Sequence, residues 1–160
     1  MIKKKFVLAV LTVVVINCKP PQHNNTTPRT DTEVLVGPEN GYLVLAGGGP
    51  DSVSARKFVS LAGKDASILL VPTAVENDRQ NQNSYSAFKK IFQGAGATNV
   101  EILHTRDTAI ANSSEFISKL KQAKAVWLSG GNVRYLTEAY LHTRVEEELH
   151  QLLDRCGVIG

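Results

Sequence analysis

Short apolar runs recur between Gly41 and the end of the chain, and each is followed by a turn and a polar or amphipathic segment. The runs are nearly unbroken, which is typical of strands covered on both faces of a parallel sheet. They occupy residues 42–46, 67–71, 99–103, 125–128 and 157–160. Because strands that alternate with helices form right-handed crossovers, the pattern predicts an α/β fold with a parallel sheet between two helical layers.

The segments between these runs have the periodicity of amphipathic helices. Helices are predicted over residues 52–61 and 85–92, after Ser113 or Ser114 as the capping residue, and from residue 133 to about residue 155. The apolar residues predicted to face inward are Phe88, Ile91 and Phe92 in the second helix and Phe116, Ile117 and Leu120 in the third.

The beginning of the chain has the composition of a secretory signal. Lys3, Lys4 and Lys5 precede an apolar stretch over residues 6–16 that only Thr12 interrupts. This stretch is too short to cross a bilayer as a permanent helix. We therefore expect the segment to direct export.

The apolar stretch ends in Val-Ile-Asn-Cys, which resembles the lipobox of a bacterial lipoprotein and predicts lipidation of Cys18. Asn17 departs from the Gly, Ala or Ser usual before that cysteine, so ordinary cleavage and retention as an anchor stay open as alternatives. Two or more acyl chains hold a protein stably on a membrane. Residues 1–18 are thus predicted to be a lipoprotein signal, and the mature chain to be lipid-anchored in a bacterial cell envelope, on the periplasmic or outer face.

Residues 19–40 are rich in Pro, Asn, Thr and charge and have no apolar period, which predicts a flexible tether to a folded part over residues 41–160. The three lysines of the signal account for the whole formal net charge of +3. Since the mature chain is close to neutral, the composition predicts no nucleic-acid partner.

The most informative turn follows the fourth apolar run, where Ser129, Gly130, Gly131 and Asn132 separate a predicted strand from a predicted helix. Turns at the carboxyl ends of parallel strands bind ligands in open α/β sheets, because free N–H groups and the positive end of the helix dipole point into the crevice. The sequence therefore predicts a ligand site here, with a tight structural turn as the alternative.

The other side chains that could act as nucleophiles or metal ligands lack the sequence spacing of a known catalytic or metal site. No G-x-S-x-G elbow surrounds Ser129, so it is not predicted to be a nucleophile. Cys156 is predicted to be a buried structural thiol, because with Cys18 lipidated it has no disulfide partner. No metal or cofactor is predicted, and three histidines without ligand spacing are interpreted as surface or loop residues: His104, His142 and His150.

Several segments resemble, in order and in spacing, the cyanophycinase and aspartyl dipeptidase (dipeptidase E) family of serine peptidases. They are GYLVLAGGGP from Gly41, SILLVPTA from Ser67, LHTRDTA from Leu103, AKAVWLSGGNVRYL from Ala123 and LHTRVEEELHQLLDRCGVIG from Leu141. The resemblance covers residues 41–160. It implies the flavodoxin-like, three-layer fold of a class I glutamine amidotransferase domain, here incomplete at the C-terminus.

The family has a Ser-His-acid arrangement whose serine lies on a sharp turn directly after a strand like residues 157–160. Gly160 matches the first glycine of that turn, so the resemblance implies that the serine, the histidine and the acid lie beyond it. Gly130, Gly131 and Asn132 match the family's Gly-Gly-Asn turn. This match implies an oxyanion-hole N–H, with Gly131 as the first candidate and Asn132 as the second.

The substrate cleft is also carried over from the resemblance. Gly48 and Gly49 match the turn after the first strand, which lines the same cleft in the family, although a structural role explains them equally well. Gly130 and Asn132 belong to the predicted cleft as well. Val133 stands where cyanophycinases often have a substrate-binding glutamine, which favours an uncharacterised peptide or aspartyl-amide substrate over cyanophycin.

Two further matches concern structure. Arg106 and Asp107 recur in the family's loop after the third strand, where a structural ion pair is predicted. His142 and Thr143 match a helix junction, where Thr143 is predicted to cap the second helix ahead of Glu146 in a T-x-x-E pattern.

The expected function is that of the N-terminal part of a cyanophycinase-like serine peptidase that hydrolyses peptide or aspartyl-amide bonds, with the 160-residue chain itself inactive. The alternative is a non-catalytic envelope lipoprotein or binding module derived from the same fold. A last strand without further neighbours also predicts a chain that is marginally stable, aggregates, or pairs its edge with another copy as a homo-oligomer.

Overall fold

The structure is a computed structural model that describes residues 38–47, 49–76 and 82–160. The predicted signal with Cys18 and most of the predicted tether lie outside the described residues, and so does Gly48. Within these ranges, no helix is both long enough and apolar enough to cross a bilayer.

The described part of the chain contains five strands, and one or two helices connect each strand to the next, six helices in all. The strands are β1 (Tyr42–Leu43), β2 (Ser67–Val71), β3 (Asn99–Ile102), β4 (Ala125–Leu128) and β5 (Val158–Ile159). The helices are α1 (Ser52–Ala62), α2 (Gln82–Gly94), α3 (Thr108–Ala111), α4 (Ser114–Gln122), α5 (Val133–Tyr140) and α6 (Arg144–Asp154).

All five strands are parallel and form one sheet with the order β1-β5-β4-β2-β3. Val158 in β5 pairs with Tyr42 on one side and with Ala125 on the other. The predicted α/β fold with a parallel sheet is thus confirmed. Because β5 lies between β1 and β4, the loops that follow β1 and β4 flank the end of β5.

Alternate residues of β2 serve two separate cores. Ile68 and Leu70 pack with α1 and α2, whereas Leu69 and Val71 pack with the four remaining helices. Helices therefore cover both faces of the sheet, which explains why the strand sequences are nearly unbroken apolar runs.

The core beneath α1 and α2 is aromatic. Phe58, Phe92 and Trp127 pack edge to face, with ring centroids 5.1 to 5.7 Å apart. Phe88 adds a fourth ring, 5.6 Å from Phe92. Such edge-to-face pairs stabilise beyond the apolar area they bury, so this corner of the sheet is well fixed. It is also the corner that supports the cavity described below.

Two strands are shorter than the apolar runs that predict them. The run over residues 42–46 forms only the two-residue β1, since Val44 makes its last ladder hydrogen bond, at 2.8 Å to the Ile159 carbonyl, and Leu45 is 92% exposed. Leu103 lies just past β3, although its N–H still donates to the Leu70 carbonyl at 2.9 Å. Apolar composition indicates which residues can form a strand. It does not indicate where the hydrogen bonds to the neighbouring strand stop.

The predicted third helix begins as expected, with Ser113 as its cap. The Ser113 hydroxyl accepts a hydrogen bond from the Phe116 N–H at 3.2 Å, and the predicted inward-facing residues of α4 are buried: Phe116, Ile117 and Leu120.

The last helical segment is divided into α5 and α6 at the predicted junction. His142 has a positive φ of 59°, and Thr143 caps α6 by accepting from the Val145 N–H at 3.2 Å. Glu146 does not complete an ordinary capping box. Its carboxylate instead accepts from the His142 N–H at 2.6 Å, one residue earlier than the T-x-x-E pattern predicts.

Candidate active site

The glycine turn after β4 is fixed at both of its ends to the β2 side of the sheet. The Ser129 N–H donates to the Val71 carbonyl at 3.0 Å, and the Asn132 N–H donates to the Ala74 carbonyl at 2.8 Å. Asn132 also caps α5, because its Oδ1 accepts from the Arg134 N–H at 3.1 Å. The turn is therefore held in one conformation by the loop that follows β2.

Gly131 is the one residue of this turn that no other amino acid could replace without strain. Its φ is +138°, and a Cβ added there would lie 2.3 Å from the Ala74 oxygen. Gly130 has no such restriction, because a Cβ added there would meet only the Gly49 nitrogen, at 3.9 Å. The first glycine is thus open to a cavity, whereas the second is required by the close approach of two loops.

No hydrogen bond between described residues uses the N–H of Gly130 or of Gly131. Of the two predicted oxyanion-hole donors, Asn132 has already committed its N–H to Ala74, so only its side-chain amide could still donate to a ligand. Of the two predicted candidates for the backbone donor of an oxyanion hole, the Gly131 N–H is therefore the one without a partner among the described residues. The neighbouring Gly130 N–H shares this property. The sequence could not separate these residues, because the acceptor lies 58 positions away in the chain, at Ala74.

The end of β5 lies directly beside this turn. The Gly160 N–H donates to the Val126 carbonyl at 2.9 Å, and its own carbonyl accepts from the Leu128 N–H at 2.9 Å. A Cβ added at Gly160 would lie 2.2 Å from the ring of Trp127. Gly160 is therefore packed as part of the sheet, and the parallel ladder leads from it towards Ser129.

A cavity of about 480 Å³ opens at this edge of the sheet, between the loop after β1, the loop after β2, α2 and the glycine turn. This volume suits one or two residues of a peptide. Its lining residues are Gly49, Pro50, Pro72, Val75, Tyr85, Phe88, Ser129, Gly130 and Gly131.

Only some of the predicted cleft residues line this cavity. Gly49 and Gly130 line it, whereas Asn132 and Val133 do not, and Val133 is 66% exposed at the start of α5. Gly48 lies outside the described residues. A second cavity, of about 240 Å³ between α5 and α6, is lined by none of the predicted site residues.

A buried polar network beneath the turn was not predicted from the sequence. The Thr73 hydroxyl is fully buried and lies 2.9 Å from Nδ1 of His104 and 2.7 Å from the Tyr140 hydroxyl. The Tyr140 hydroxyl also donates to the Thr105 carbonyl at 3.1 Å. These contacts fix the residue next to Ala74, whose carbonyl holds the glycine turn. A Pro-Thr pair after a strand is the only local sign of this network.

Burial raises the pKa of Tyr140, and its hydrogen bonds with Thr73 and Thr105 oppose that shift. The phenol is therefore neutral throughout the physiological range and serves as a hydrogen-bonding group. His104, interpreted from the sequence as a surface or loop residue, is half-buried in this network.

Arg106 and Asp107 have separate roles rather than the predicted ion pair. The Arg106 guanidinium donates to the Val75 and Thr73 carbonyls and lies 4.1 Å from the centroid of the Tyr135 ring. Asp107 caps α3 by accepting from the Ala109 N–H at 2.7 Å. None of the ion pairs between described residues joins them. Arg106 thus braces the loop that carries Ala74.

Two other predicted residues differ in part from expectation. Cys156 is only half-buried, with a positive φ of 61° at the turn from α6 to β5. Ser129 is buried, and its Oγ has no hydrogen-bond partner among the described residues. A serine held inside the turn in this way is poorly placed to attack a ligand in the cavity.

Comparisons with known proteins bear on the family and the fold of the chain. The model of peptidase family S51 matches residues 43–159. Cyanophycinases from Synechococcus elongatus and Thermosynechococcus vestitus are each 26% identical over 126 residues, which cover 75% of this chain and 38% of theirs. The chain thus spans well under half the length of the curated relatives that it matches.

Solved structures show the same fold. A peptidase from an acI-B1 actinobacterium superposes with a TM-score of 0.62 at 19% identity, covering 75% of this chain and 52% of that one. A putative peptidase E protein from Listeria monocytogenes gives a TM-score of 0.50 at 20% identity, covering 66% of this chain and 50% of that one. The resemblance inferred from the sequence is confirmed, and the chain belongs to peptidase family S51.

Proposed function

We propose that this chain supplies the oxyanion-binding turn and part of the substrate cleft of a serine-type peptidase. The observation that carries the proposal is the position of the Gly130 and Gly131 N–H groups, which have no partner among the described residues and lie beside the end of β5. Fixed backbone donors aimed at a developing oxyanion are among the largest contributions to acyl-transfer catalysis.

The nucleophile is proposed to follow β5. The parallel register pairs Val126 with Ile159, so residues that continue the strand past Gly160 would run alongside Leu128 and Ser129. A serine on a sharp turn there would have its hydroxyl beside the cavity, with the Gly131 N–H within reach of the substrate carbonyl oxygen.

The chemistry would be ordinary acyl transfer. The serine oxygen adds to the carbonyl carbon while a histidine takes the hydroxyl proton, and the same histidine then protonates the leaving amine. Water releases the acyl group in a second step. The serine, histidine and acid are all proposed to lie beyond Gly160, so we expect the 160-residue chain to have no peptidase activity alone.

Residues 1–18 support a further part of the proposal, that the protein is exported and lipid-anchored at Cys18. Metabolic labelling with a fatty acid tests this directly. We expect incorporation into the wild-type protein and none into the Cys18→Ser variant. Equal labelling of both would contradict lipidation at this residue.

The peptidase proposal is tested on the native protein extracted from its cell envelope, by intact mass and by labelling with a fluorophosphonate. We expect a mass well above 17.4 kDa and a labelled serine in the turn directly after Gly160. A mass equal to residues 18–160 with acyl chains would favour the non-catalytic lipoprotein instead. Label on Ser129 would overturn the assignment of the nucleophile.

A further inference from the structure

We infer that Arg106 is a positioning residue for the oxyanion-binding turn, and that it acts by joining the loop after β2 to the helix that begins at that turn. The inference rests on the proposed function, because it gives the Gly131 N–H the task of holding the substrate oxyanion. Arg106 lies in the loop between β3 and α3 and acts on the site through other residues.

Three successive carbonyls of the loop after β2 have different partners. The middle one, of Ala74, accepts from the Asn132 N–H at 2.8 Å. The carbonyls on either side of it, of Thr73 and Val75, accept from Nε and Nη2 of Arg106. A guanidinium presents its donors in a rigid planar fork. Because the peptide units before and after the Ala74 carbonyl are both held by this fork, the direction of that carbonyl is fixed.

The same guanidinium also contacts the helix that follows the glycine turn. Cζ of Arg106 lies 4.1 Å from the centroid of the Tyr135 ring, which is within the range of a cation–π contact. Tyr135 is in the first turn of α5, and its N–H donates to the Asn132 carbonyl at 3.1 Å. Arg106 therefore joins the loop that supplies the acceptor of the turn's hydrogen bond to the helix whose capping residue supplies the donor.

The backbone that carries Arg106 is itself held by neighbouring residues. The Thr105 carbonyl accepts from the Tyr140 hydroxyl at 3.1 Å, and the Asp107 N–H donates to the Thr105 hydroxyl at 3.0 Å. The Asp107 carboxylate caps α3. The guanidinium thus extends from a fixed point of the fold to the two elements that it contacts.

The expected consequence concerns the rate of acyl transfer. A donor of an oxyanion hole stabilises the transition state only when it already points at the developing charge, and a displacement of about 1 Å can cost about 100-fold in rate. Gly131 packs directly against the Ala74 carbonyl, so a movement of that carbonyl also moves the Gly131 N–H. We therefore expect Arg106 to affect the rate of the chemical step and not the binding of the substrate.

Lysine could not replace Arg106 in both contacts. Its ammonium carries the same charge but lacks the planar fork that reaches two carbonyls while it stacks on a ring. Arg106→Lys therefore retains the charge and removes the geometry. The matched control is Arg134→Lys, because the Arg134 side chain is 77% exposed and bonds to Glu138 of the same helix at 2.6 Å.

The first test measures labelling of the native protein by a fluorophosphonate over a range of concentrations. In this reaction the serine oxygen bonds to phosphorus, fluoride leaves and the histidine takes the hydroxyl proton, while the phosphoryl oxygen occupies the oxyanion hole. We expect Arg106→Lys to lower the maximal labelling rate at least about tenfold and to leave the half-saturating concentration within about twofold. Arg134→Lys should change neither. Wild-type labelling by folded Arg106→Lys, an equal loss in Arg134→Lys, or a loss confined to the half-saturating concentration would overturn the inference.

Substitutions of Tyr135 test the contact with α5 and also carry the test if Arg106→Lys does not fold. Tyr135→Phe keeps the aromatic face and should label at the wild-type rate, whereas Tyr135→Leu should label about threefold more slowly. Equal rates in these two variants would contradict the proposed link between Arg106 and α5.

Hydrogen exchange of the Asn132 amide needs no nucleophile and separates this inference from the proposed function. We expect it to be about tenfold faster in Arg106→Lys, with no change at the Lys124 amide, which is bonded to the Ser67 carbonyl at the opposite end of the sheet. No change at Asn132, or equal acceleration at both amides, would overturn the inference. Faster exchange at Asn132 in a protein that no fluorophosphonate labels would support the role of Arg106 in holding the turn and overturn the peptidase. Labelling with unchanged exchange would do the reverse.

Discussion

Two glycine turns face each other across the cavity, and they are held in opposite ways. In the turn after β4, Gly131 lies so close to Ala74 that a Cβ would overlap its carbonyl, and the neighbouring Asn132 N–H is bonded to that same carbonyl. In the turn after β1, neither Gly47 nor Gly49 has any atom within 4 Å of an added Cβ. The turn after β4 is fixed by contacts, whereas the described glycines of the turn after β1 are bordered by open space.

The difference bears on the proposed oxyanion-binding role of the turn after β4. Oxyanion stabilisation requires donors that are already oriented before the reaction, because reorganisation during the reaction would consume the gain. Among the described residues of the two turns, those after β4 meet that condition.

The fixed turn depends on a second layer of support. Ala74 follows Thr73, whose buried hydroxyl contacts both His104 and Tyr140, and Arg106 holds the Thr73 and Val75 carbonyls. The loop after β2 is thus anchored on both sides of Ala74, the residue whose carbonyl accepts the hydrogen bond from the glycine turn. No comparable network supports the described residues of the turn after β1.

The largest effect is expected from Gly131→Ala. The added Cβ would lie 2.3 Å from the Ala74 oxygen, and alanine disfavours a φ of +138°. We expect a loss of about 3 kcal/mol in the free energy of unfolding, measured by urea denaturation. The control is Gly130→Ala, which we expect to change stability by less than about 1 kcal/mol because its φ is ordinary and its surroundings are open. Similar losses of unfolding free energy in both variants would contradict the conclusion that Gly131 is constrained and Gly130 is not.

A smaller loss is expected from Tyr140→Phe. The change removes the hydroxyl that contacts Thr73 and Thr105 and leaves buried polar groups with fewer partners. We expect about 1 to 2 kcal/mol of destabilisation, together with faster amide exchange at Gly131. A loss of stability without faster amide exchange at Gly131 would show that this network does not support the glycine turn.

The same variant should change the alkaline limit of stability. Because burial holds the folded-state pKa of Tyr140 above its usual value of 10.0, burial of the neutral phenol contributes stability that is fully present below that pH and decreases as pH rises through the folded pKa. We expect Tyr140→Phe to lose this part of the alkaline decrease. An identical pH profile in the two proteins would contradict the assignment.

The smallest effects belong to the open turn. Gly49 has a φ of +108°, so Gly49→Ala should cost about 1 kcal/mol through backbone strain alone. Gly47→Ala has neither a positive φ nor a close neighbour and should be nearly neutral. Thermal unfolding of the pair measures this. A loss at Gly49 as large as that at Gly131 would mean that both turns are equally constrained.

The apolar periodicity was sufficient to predict the five strands, the buried faces of α2 and α4, and the glycine turn at the end of β4. These are local properties, because inward-facing residues repeat with the period of the element and a sharp turn requires glycine. The boundaries of β1 were missed for a related reason. Where a strand stops depends on its neighbour, and β1 has only the two-residue β5 beside it.

The sequence by itself therefore determined the type of fold and the family, and it predicted where the candidate site lies. Only the tertiary structure decided that the Asn132 N–H is bonded to the Ala74 carbonyl while the Gly131 N–H has no partner among the described residues, and that Thr73 contacts Tyr140, 67 positions further along the chain. Apolar patterning acts within each element, whereas a hydrogen bond between two loops depends on where the packed sheet places them. Within the described part of the chain, the donors open to a ligand are those that the assembled fold leaves without a partner.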